Sequence, residues 1–134
     1  MKITSKGHYG VQVMTDLAAF WGRGPLPLSV IAKDKKISHD YLEQIMILLR
    51  RHGLVHAERG AHGGYLLSRN PKKITLKEII QALEGDLAPV NCVAKKVRLV
   101  CPSEGFCRSK KAWERIQKSF LNALDSVSLK EVLE

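Results

Sequence analysis

Apolar residues recur at three- and four-residue spacing along much of this chain, a pattern that predicts a series of amphipathic helices. The first predicted helix covers residues 5–21, and a second, shorter helix covers residues 29–36. The predicted inward faces are Val11, Met14, Leu17, Ala18 and Trp21 in the first helix and Val30, Ile31 and Ala32 in the second.

A third helix is predicted to begin after Ser38, because a serine hydroxyl can accept a hydrogen bond from a free N–H of the first helical turn. Gly53 suits the left-handed position just past the end of this helix. The second and third helices follow each other so closely that they predict a helix-turn-helix. The apolar stripe of the third helix consists of Leu42, Ile45, Leu48 and Leu49.

The chain after the third helix predicts a β-hairpin. Residues 54–59 and 65–68 can pair across a glycine-rich turn at residues 60–64. A helix-turn-helix followed by a hairpin with a basic tip is typical of a winged helix. Its third helix enters a major groove, and its hairpin lies along the phosphates or in a minor groove. The expected fold is therefore mainly α with a small β-hairpin wing.

The next stretch predicts one more helix and then a break in the pattern. Thr75 and Glu78 form a capping box, in which each side chain satisfies a free backbone N–H of the other residue. The helix that they open is predicted to end at Gly85. Helical spacing is then absent between residues 86 and 102.

A long helix is predicted at residues 106–127, and Ser128 with Glu131 opens a short last helix. Because the long helix follows a complete small domain, a twin helix from a second subunit is the economical partner for its apolar face. That face consists of Trp113, Ile116, Phe120, Leu124 and Val127. The predicted parts of the chain are a winged helix-turn-helix DNA-binding domain at 1–85, a cysteine-bearing cluster loop at 86–105, and a dimerisation helix with a short C-terminal helix at 106–134.

Charge narrows the class of partner. The chain has 134 residues, with 22 Lys and Arg against 13 Asp and Glu, and its formal net charge of +9 favours a polyanionic binding partner.

No apolar run approaches the ~20 residues that span a bilayer, so we expect a cytoplasmic protein with no membrane partner. The sequence contains no glycine-rich nucleotide loop, nucleophile–base arrangement or carboxylate pair, so we do not expect an enzyme.

Polar residues on the third helix and at the hairpin tip are candidates for DNA contacts. Gln44 can pair with an adenine edge and Glu43 can accept from a cytosine amino group, while the Ser38 and Tyr41 hydroxyls can reach phosphates or bases. A narrow minor groove would attract Arg59. An ordinary polar helix face and a plain hairpin turn are the alternatives.

Three cysteines lie close together at Cys92, Cys101 and Cys107. Their C-x8-C-x5-C spacing lacks the paired C-x2-C arms of a structural zinc site and the C-x2-C-x2-C run of bacterial ferredoxins. Nearby basic residues would favour thiolates, which are soft ligands that suit an iron–sulfur cluster. The spacing alone leaves a cluster, zinc and free thiols open.

Five motifs, spread over nearly the whole chain, all point to the same known protein family. They are residues 1–9, the Tyr41-Leu-Glu-Gln-Ile helix, the Arg59-Gly-x-x-Gly-Gly-Tyr wing, the Ile79-x-x-x-Leu-Glu-Gly segment, and three cysteines before a tryptophan-bearing helix. With them the chain resembles the Rrf-two type family of bacterial regulators, which includes IscR-, NsrR- and CymR-like members.

The resemblance implies a homodimeric winged-helix transcription factor, a repressor in some members, that binds a pseudo-palindromic operator in double-stranded DNA. By motif position it assigns base contacts to Ser38, Tyr41, Glu43 and Gln44, and minor-groove entry to Arg59. It also places Cys92, Cys101 and Cys107 where cluster-binding members hold 2Fe–2S or 4Fe–4S. For this chain we expect 2Fe–2S in preference to 4Fe–4S.

The fourth cluster ligand departs from the family pattern. IscR-like members carry a histidine three residues after the last cysteine, where this chain has Lys110, a poor ligand. NsrR-like members use an acidic residue at the position of His8 across the dimer. His8 of the partner subunit is therefore the predicted fourth ligand. CymR-like members work without a cluster, which leaves open a cluster-free repressor controlled by thiol oxidation or by a partner protein.

Overall fold

The computed structural model describes residues 2–94, residue 102 and residues 107–134. This part of the chain is mainly helical with one antiparallel hairpin, as the sequence pattern predicts. Its helices and strands are α1 (Ser5–Ala19), α2 (Leu28–Lys35), α3 (His39–Arg51), β1 (Val55–Glu58), β2 (Gly64–Leu67), α4 (Leu76–Glu84), α5 (Lys110–Asp125) and α6 (Leu129–Leu133), with 3-10 turns at Pro71–Lys73 and Asn91–Val93. None of the described helices is long and apolar enough to cross a membrane.

Local hydrogen bonds set the helix starts where the sequence predicts them. The Ser38 hydroxyl accepts from the Tyr41 N–H at 3.1 Å, which caps α3. Both bonds of the capping box are present at α4, because Thr75 accepts from the Glu78 N–H and Glu78 accepts from the Thr75 N–H. Gly85 ends α4, and Gly53, just past α3, has a φ of 70°. These predictions are confirmed.

The core lies where α1, α3 and α4 pack together with the base of the hairpin. α3 contributes the fully buried side chains of Leu42, Ile45, Met46 and Leu49. Close packing of α1 on α4 depends on two small residues. A Cβ at Gly10 would overlap Cδ1 of Leu83, and one at Gly7 would overlap the Glu84 carboxylate.

The C-terminal helix α6 joins this same core. Leu129 is fully buried, its N–H donates to the Ile74 carbonyl at 2.9 Å, and the Leu76 N–H donates to the Val127 carbonyl at 2.9 Å. The chain therefore returns from α5 to the start of α4, which fixes the C-terminal end of α5 relative to the winged helix.

The predicted inward faces are wrong at two residues. Trp21 follows the last turn of α1 and is 44% exposed, and Val30 of α2 is 52% exposed. Successive helical residues diverge by about 100°, so a short helix cannot turn three consecutive side chains inward. Ile31 and Ala32 take the buried positions of α2. α5 begins at Lys110, later than predicted; the predicted start, residue 106, lies outside the described residues.

Candidate nucleic-acid interface and cysteine segment

The turn between α2 and α3 fixes how α3 is presented. Lys36 adopts the left-handed conformation (φ 55°) at the end of α2, and the Ile37 N–H donates to the Ala32 carbonyl at 3.2 Å. The buried face of α3 then holds the helix against α2 and β1. Its opposite face is left outward, away from the core.

The outward face of α3 carries most of the predicted DNA-contact residues. Glu43 and Gln44 are exposed there. The Ser38 oxygen is occupied as a cap acceptor, but its hydroxyl proton remains available to donate to a phosphate. Tyr41 is half-buried, and its ring packs edge-on against the Tyr9 ring with centroids 6.1 Å apart. This contact with Tyr9 of α1 helps to fix the orientation of the Tyr41 ring.

An acidic corner occupies the first turn of α3. The potential ligand atoms of His39, Asp40 and Glu43 lie within 4.8 Å of one another, and all three side chains are exposed. Within the part of the chain that the structure describes, neither Asp40 nor Glu43 forms an ion pair. Because carboxylates repel phosphates, these acidic side chains are better suited to contact base edges than the DNA backbone.

The wing is a separate element that presents Arg59. Strands β1 and β2 pair from Val55 with Leu67 to Glu58 with Gly64, so Arg59 begins the exposed tip. The wing is held to the loop after α1 by two hydrogen bonds between Leu26 and Tyr65, of 2.8 and 2.9 Å. Arg59 is thus carried by an anchored hairpin.

The cysteine segment (residues 91–107) is described at its two ends. Cys92 is exposed in the 3-10 turn Asn91–Val93, and this turn packs against α5. Cys107 is half-exposed just before the first residue of α5. The predicted ligand Cys101 lies outside the described residues. The turn that carries Cys92 therefore lies against the helix that follows Cys107.

His8 is exposed in the first turns of α1, with its Nε2 3.0 Å from Gln12 Nε2. In a single chain, His8 does not join Cys92 and Cys107 in a group whose ligand atoms lie within 4.8 Å of one another, so far as the described residues go. The role of His8 of the partner subunit as a ligand stays a prediction.

Cys107 is chemically distinct because of its neighbours. Its Sγ lies 3.1 Å from the Ser109 hydroxyl. This hydrogen bond, backbone hydrogen bonds from Ser109 and Lys110, and the Lys110 charge hold the pKa of the Cys107 thiol below its ordinary value. Ser109 is at the cap position of α5, yet its hydroxyl caps no helix N–H. The arrangement favours a thiolate, the form that ligates metals and reacts with oxidants.

Replacing Ser109 with Ala should raise the pKa of Cys107 and slow its alkylation at neutral pH, because the thiolate loses its nearest donor. The measurement is the iodoacetamide rate against pH in a chain whose other two cysteines are serine. The inflection should move to higher pH in Ser109→Ala and stay in place in Ser119→Ala, an exposed serine farther along α5. Identical inflections in all three proteins would contradict the assignment.

The face of α5 beside this thiol is poorly covered. No residue of α5 is buried, and the apolar stripe includes Trp113, 36% exposed, and Ile116, 48% exposed. Phe120 and Leu124 continue the stripe and are half-buried. An apolar stripe that is exposed at one end and half-buried at the other marks a candidate interaction surface.

Sequence reasoning missed one tertiary link between these regions. Glu84, the last residue of α4, accepts hydrogen bonds from the Thr4 N–H at 2.8 Å and from the Thr4 hydroxyl. It thereby ties the start of α1 to the chain that leads into the cysteine segment. The only sequence signal was its place in the Leu-Glu-Gly motif before Gly85.

A helix-turn-helix followed by an anchored two-stranded wing, in a chain of net charge +9, defines a winged-helix DNA-binding protein. The chain belongs to the Rrf2 family, described as iron-dependent transcriptional regulators, whose family model matches residues 3–134.

Individual relatives agree with this placement. The chain is 39% identical over 132 residues to the HTH-type transcriptional regulator CymR of Bacillus subtilis, covering 98% of this chain and 89% of that protein. It is 36% identical over 134 residues to the regulator IscR of Xenorhabdus nematophila, covering all of this chain and 80% of that protein.

Solved structures give the same result. The structure of CymR (YrzC), the global cysteine regulator of B. subtilis, superposes with a TM-score of 0.82 at 38% identity, covering 99% of this chain and 96% of that one. T. potens IscR has a TM-score of 0.78 at 41% identity, covering 99% of this chain and 86% of that one. The relatives are named as transcriptional regulators, which agrees with the prediction that the protein is not an enzyme.

Proposed function

We propose that the chain is a homodimeric transcriptional regulator that binds a pseudo-palindromic operator through α3 and the wing, and whose DNA affinity is set by an iron–sulfur cluster. The proposed ligands are Cys92, Cys101, Cys107 and His8 of the partner subunit, with 2Fe–2S the preferred cluster. The observation that carries this proposal is the position of Cys107, whose Sγ lies 3.1 Å from the Ser109 hydroxyl, just before a helix with no buried residue.

The donors present suit such a cluster. Thiolates are the protein ligands that iron–sulfur clusters prefer, and an imidazole replaces a thiolate in some of them. Cys92 lies in a turn that packs against α5, Cys107 lies just before that helix, and Lys110 stabilises negative charge on the Cys107 sulfur. When bound, an iron–sulfur cluster supplies a redox-active, cross-linking centre.

Contacts within the chain would couple the state of the cysteine ligands to the position of the DNA-binding helices. Cys107 lies three residues before α5, and Glu84 joins the start of α1 to the end of α4. Fixing or freeing the thiolates would therefore change a constraint on α5 and, through His8 of the partner subunit, on α1. In a dimer, the two α3 helices must match half-sites about 34–36 Å apart, so a small rotation changes affinity steeply. A coupling of ~1–3 kcal/mol gives a 5- to 150-fold switch.

Iron and acid-labile sulfide content after oxygen-free purification tests the cluster. Wild-type protein should be coloured, and Cys107→Ser should lose most of its iron. His8→Ala should keep iron with a changed absorption spectrum, whereas His56→Ala, an exposed histidine on β1, should leave the spectrum unchanged. A colourless wild-type protein that still binds DNA would contradict the assignment of an iron–sulfur cluster.

Such a colourless protein is the second candidate, a cluster-free regulator controlled by oxidation of Cys107 or by a partner protein. The Ser109 hydrogen bond that lowers the pKa of the Cys107 thiol favours this candidate as much as it favours metal ligation. The similarity to CymR, named a cysteine regulator, also supports this candidate.

Base reading by α3 has its own test. Glu43→Ala should relax sequence preference while leaving total DNA affinity near or above that of the wild type, because it removes both a base acceptor and a charge that repels phosphate. The expected loss of discrimination at one base pair corresponds to ~1–3 kcal/mol. Competition binding with matched and mismatched duplexes measures it. Glu114→Ala, which removes the same charge from α5, is the control and should keep its preference; equal preference in wild type and Glu43→Ala would contradict base reading.

A further inference from the structure

Ile47 is an apolar side chain in the middle of the polar, outward face of α3. It is 43% exposed, and it is the only large apolar side chain exposed on α3, all of whose residues the structure describes. Helical spacing puts it one turn beyond Glu43 and in line with Asp40. The buried positions of α3 are filled by other residues, so Ile47 has no part in the core.

The spacing along α3 matches the spacing of bases. At 1.5 Å per residue, Asp40 and Ile47 lie about 10 Å apart along the helix axis. Base pairs repeat every 3.4 Å or so, hence the three turns that carry Asp40, Glu43 and Ile47 can address about three consecutive steps. A helix that places Glu43 over a base edge therefore brings Ile47 to an edge nearby.

The chemistry of the groove then selects the contact. Major-groove base edges display hydrogen-bond donors and acceptors, and the thymine C5-methyl is the one apolar group among them. An aliphatic side chain can satisfy none of the donors or acceptors, but it can bury a methyl group.

We propose that Ile47 is a specificity-determining residue that packs against a thymine methyl in each half-site. This proposal rests on the proposed function, in which α3 enters the major groove. Ile47 would recognise a base by apolar contact, whereas the other candidate residues on α3 would use hydrogen bonds. A half-site would then combine a position read by the Glu43 carboxylate with a nearby thymine.

The experiment replaces thymine with 2′-deoxyuridine, which keeps base pairing and hydrogen-bonding groups and removes only the methyl. A duplex is first selected from a random-core library with wild-type protein, and each thymine of one half-site is then substituted singly. One substitution should weaken binding about fourfold, the factor that corresponds to burying one methyl group. Ile47→Ala should bind the thymine and uracil duplexes equally.

Val30→Ala, which shortens an exposed apolar side chain on α2, is the matched control and should keep the methyl dependence. If wild type binds the selected duplex but no single uracil substitution matters, or if Ile47→Ala retains the fourfold difference, the Ile47 contact is wrong while the proposed function stands. If no duplex is enriched at all, both are overturned.

Discussion

Replacing Ile116 with Asp should convert the protein to a monomer and lower its operator affinity by at least about 100-fold. Ile116 lies in the exposed apolar stripe of α5, 48% exposed, and a carboxylate there would have to be desolvated between twin helices. Loss of the proposed dimer would remove the gain from binding two half-sites with one molecule, a factor of about 10²–10⁴. Sedimentation velocity and operator titration measure the two effects.

A variant on another side of the same helix separates charge from contact. Asn122→Asp adds the same charge at an exposed position on the side of α5 opposite the stripe and should leave mass and affinity unchanged. Circular dichroism should show that Ile116→Asp stays folded, because no residue of α5 is buried in the single chain. A dimeric Ile116→Asp protein with full affinity would place the subunit contact elsewhere.

Replacing Gly64 with Ala should detach the wing. An added Cβ would overlap the Leu26 carbonyl oxygen and lie 2.5 Å from the carbonyl carbon, and these backbone atoms are held by the hydrogen bonds to Tyr65. Relief of the overlap requires breaking that link, with an expected loss of ~1–3 kcal/mol of unfolding free energy. Operator affinity should fall about tenfold, because Arg59 loses its anchored hairpin.

Gly60→Ala provides the comparison at the hairpin tip. Gly60 has a φ of 110° but open space where a Cβ would lie, so alanine there introduces backbone strain without overlap. Urea unfolding should show a smaller loss for Gly60→Ala than for Gly64→Ala. Equal losses would mean that conformational strain, not the contact with Leu26, requires glycine at position 64.

Features that depend on neighbours in the sequence were predictable. The caps at Ser38 and Thr75 and the positive φ at Gly53 follow from hydrogen bonds and steric limits within a few residues. The hairpin has the same origin, since a glycine-rich turn joins two strands of matching length. The winged-helix class and the outward Glu43 and Gln44 therefore follow from the periodicity of the amino-acid sequence alone.

Contacts between distant residues could not be predicted in this way. The Glu84 carboxylate meets Thr4 across 80 residues, and Leu26 pairs with Tyr65, yet no local pattern records either contact. The exposed Val30 shows the same limit, because the neighbours of a short helix decide which of its apolar residues are buried.

The sequence by itself determined the helices, the caps and the hairpin, because each depends on side-chain type and on spacing within a turn or two. Only the tertiary structure decided that α6 buries Leu129 in the winged-helix core and that Ile47 is the large apolar side chain left exposed on a polar helix face. The physical reason is that the burial or exposure of a side chain depends on which distant surfaces come together in space.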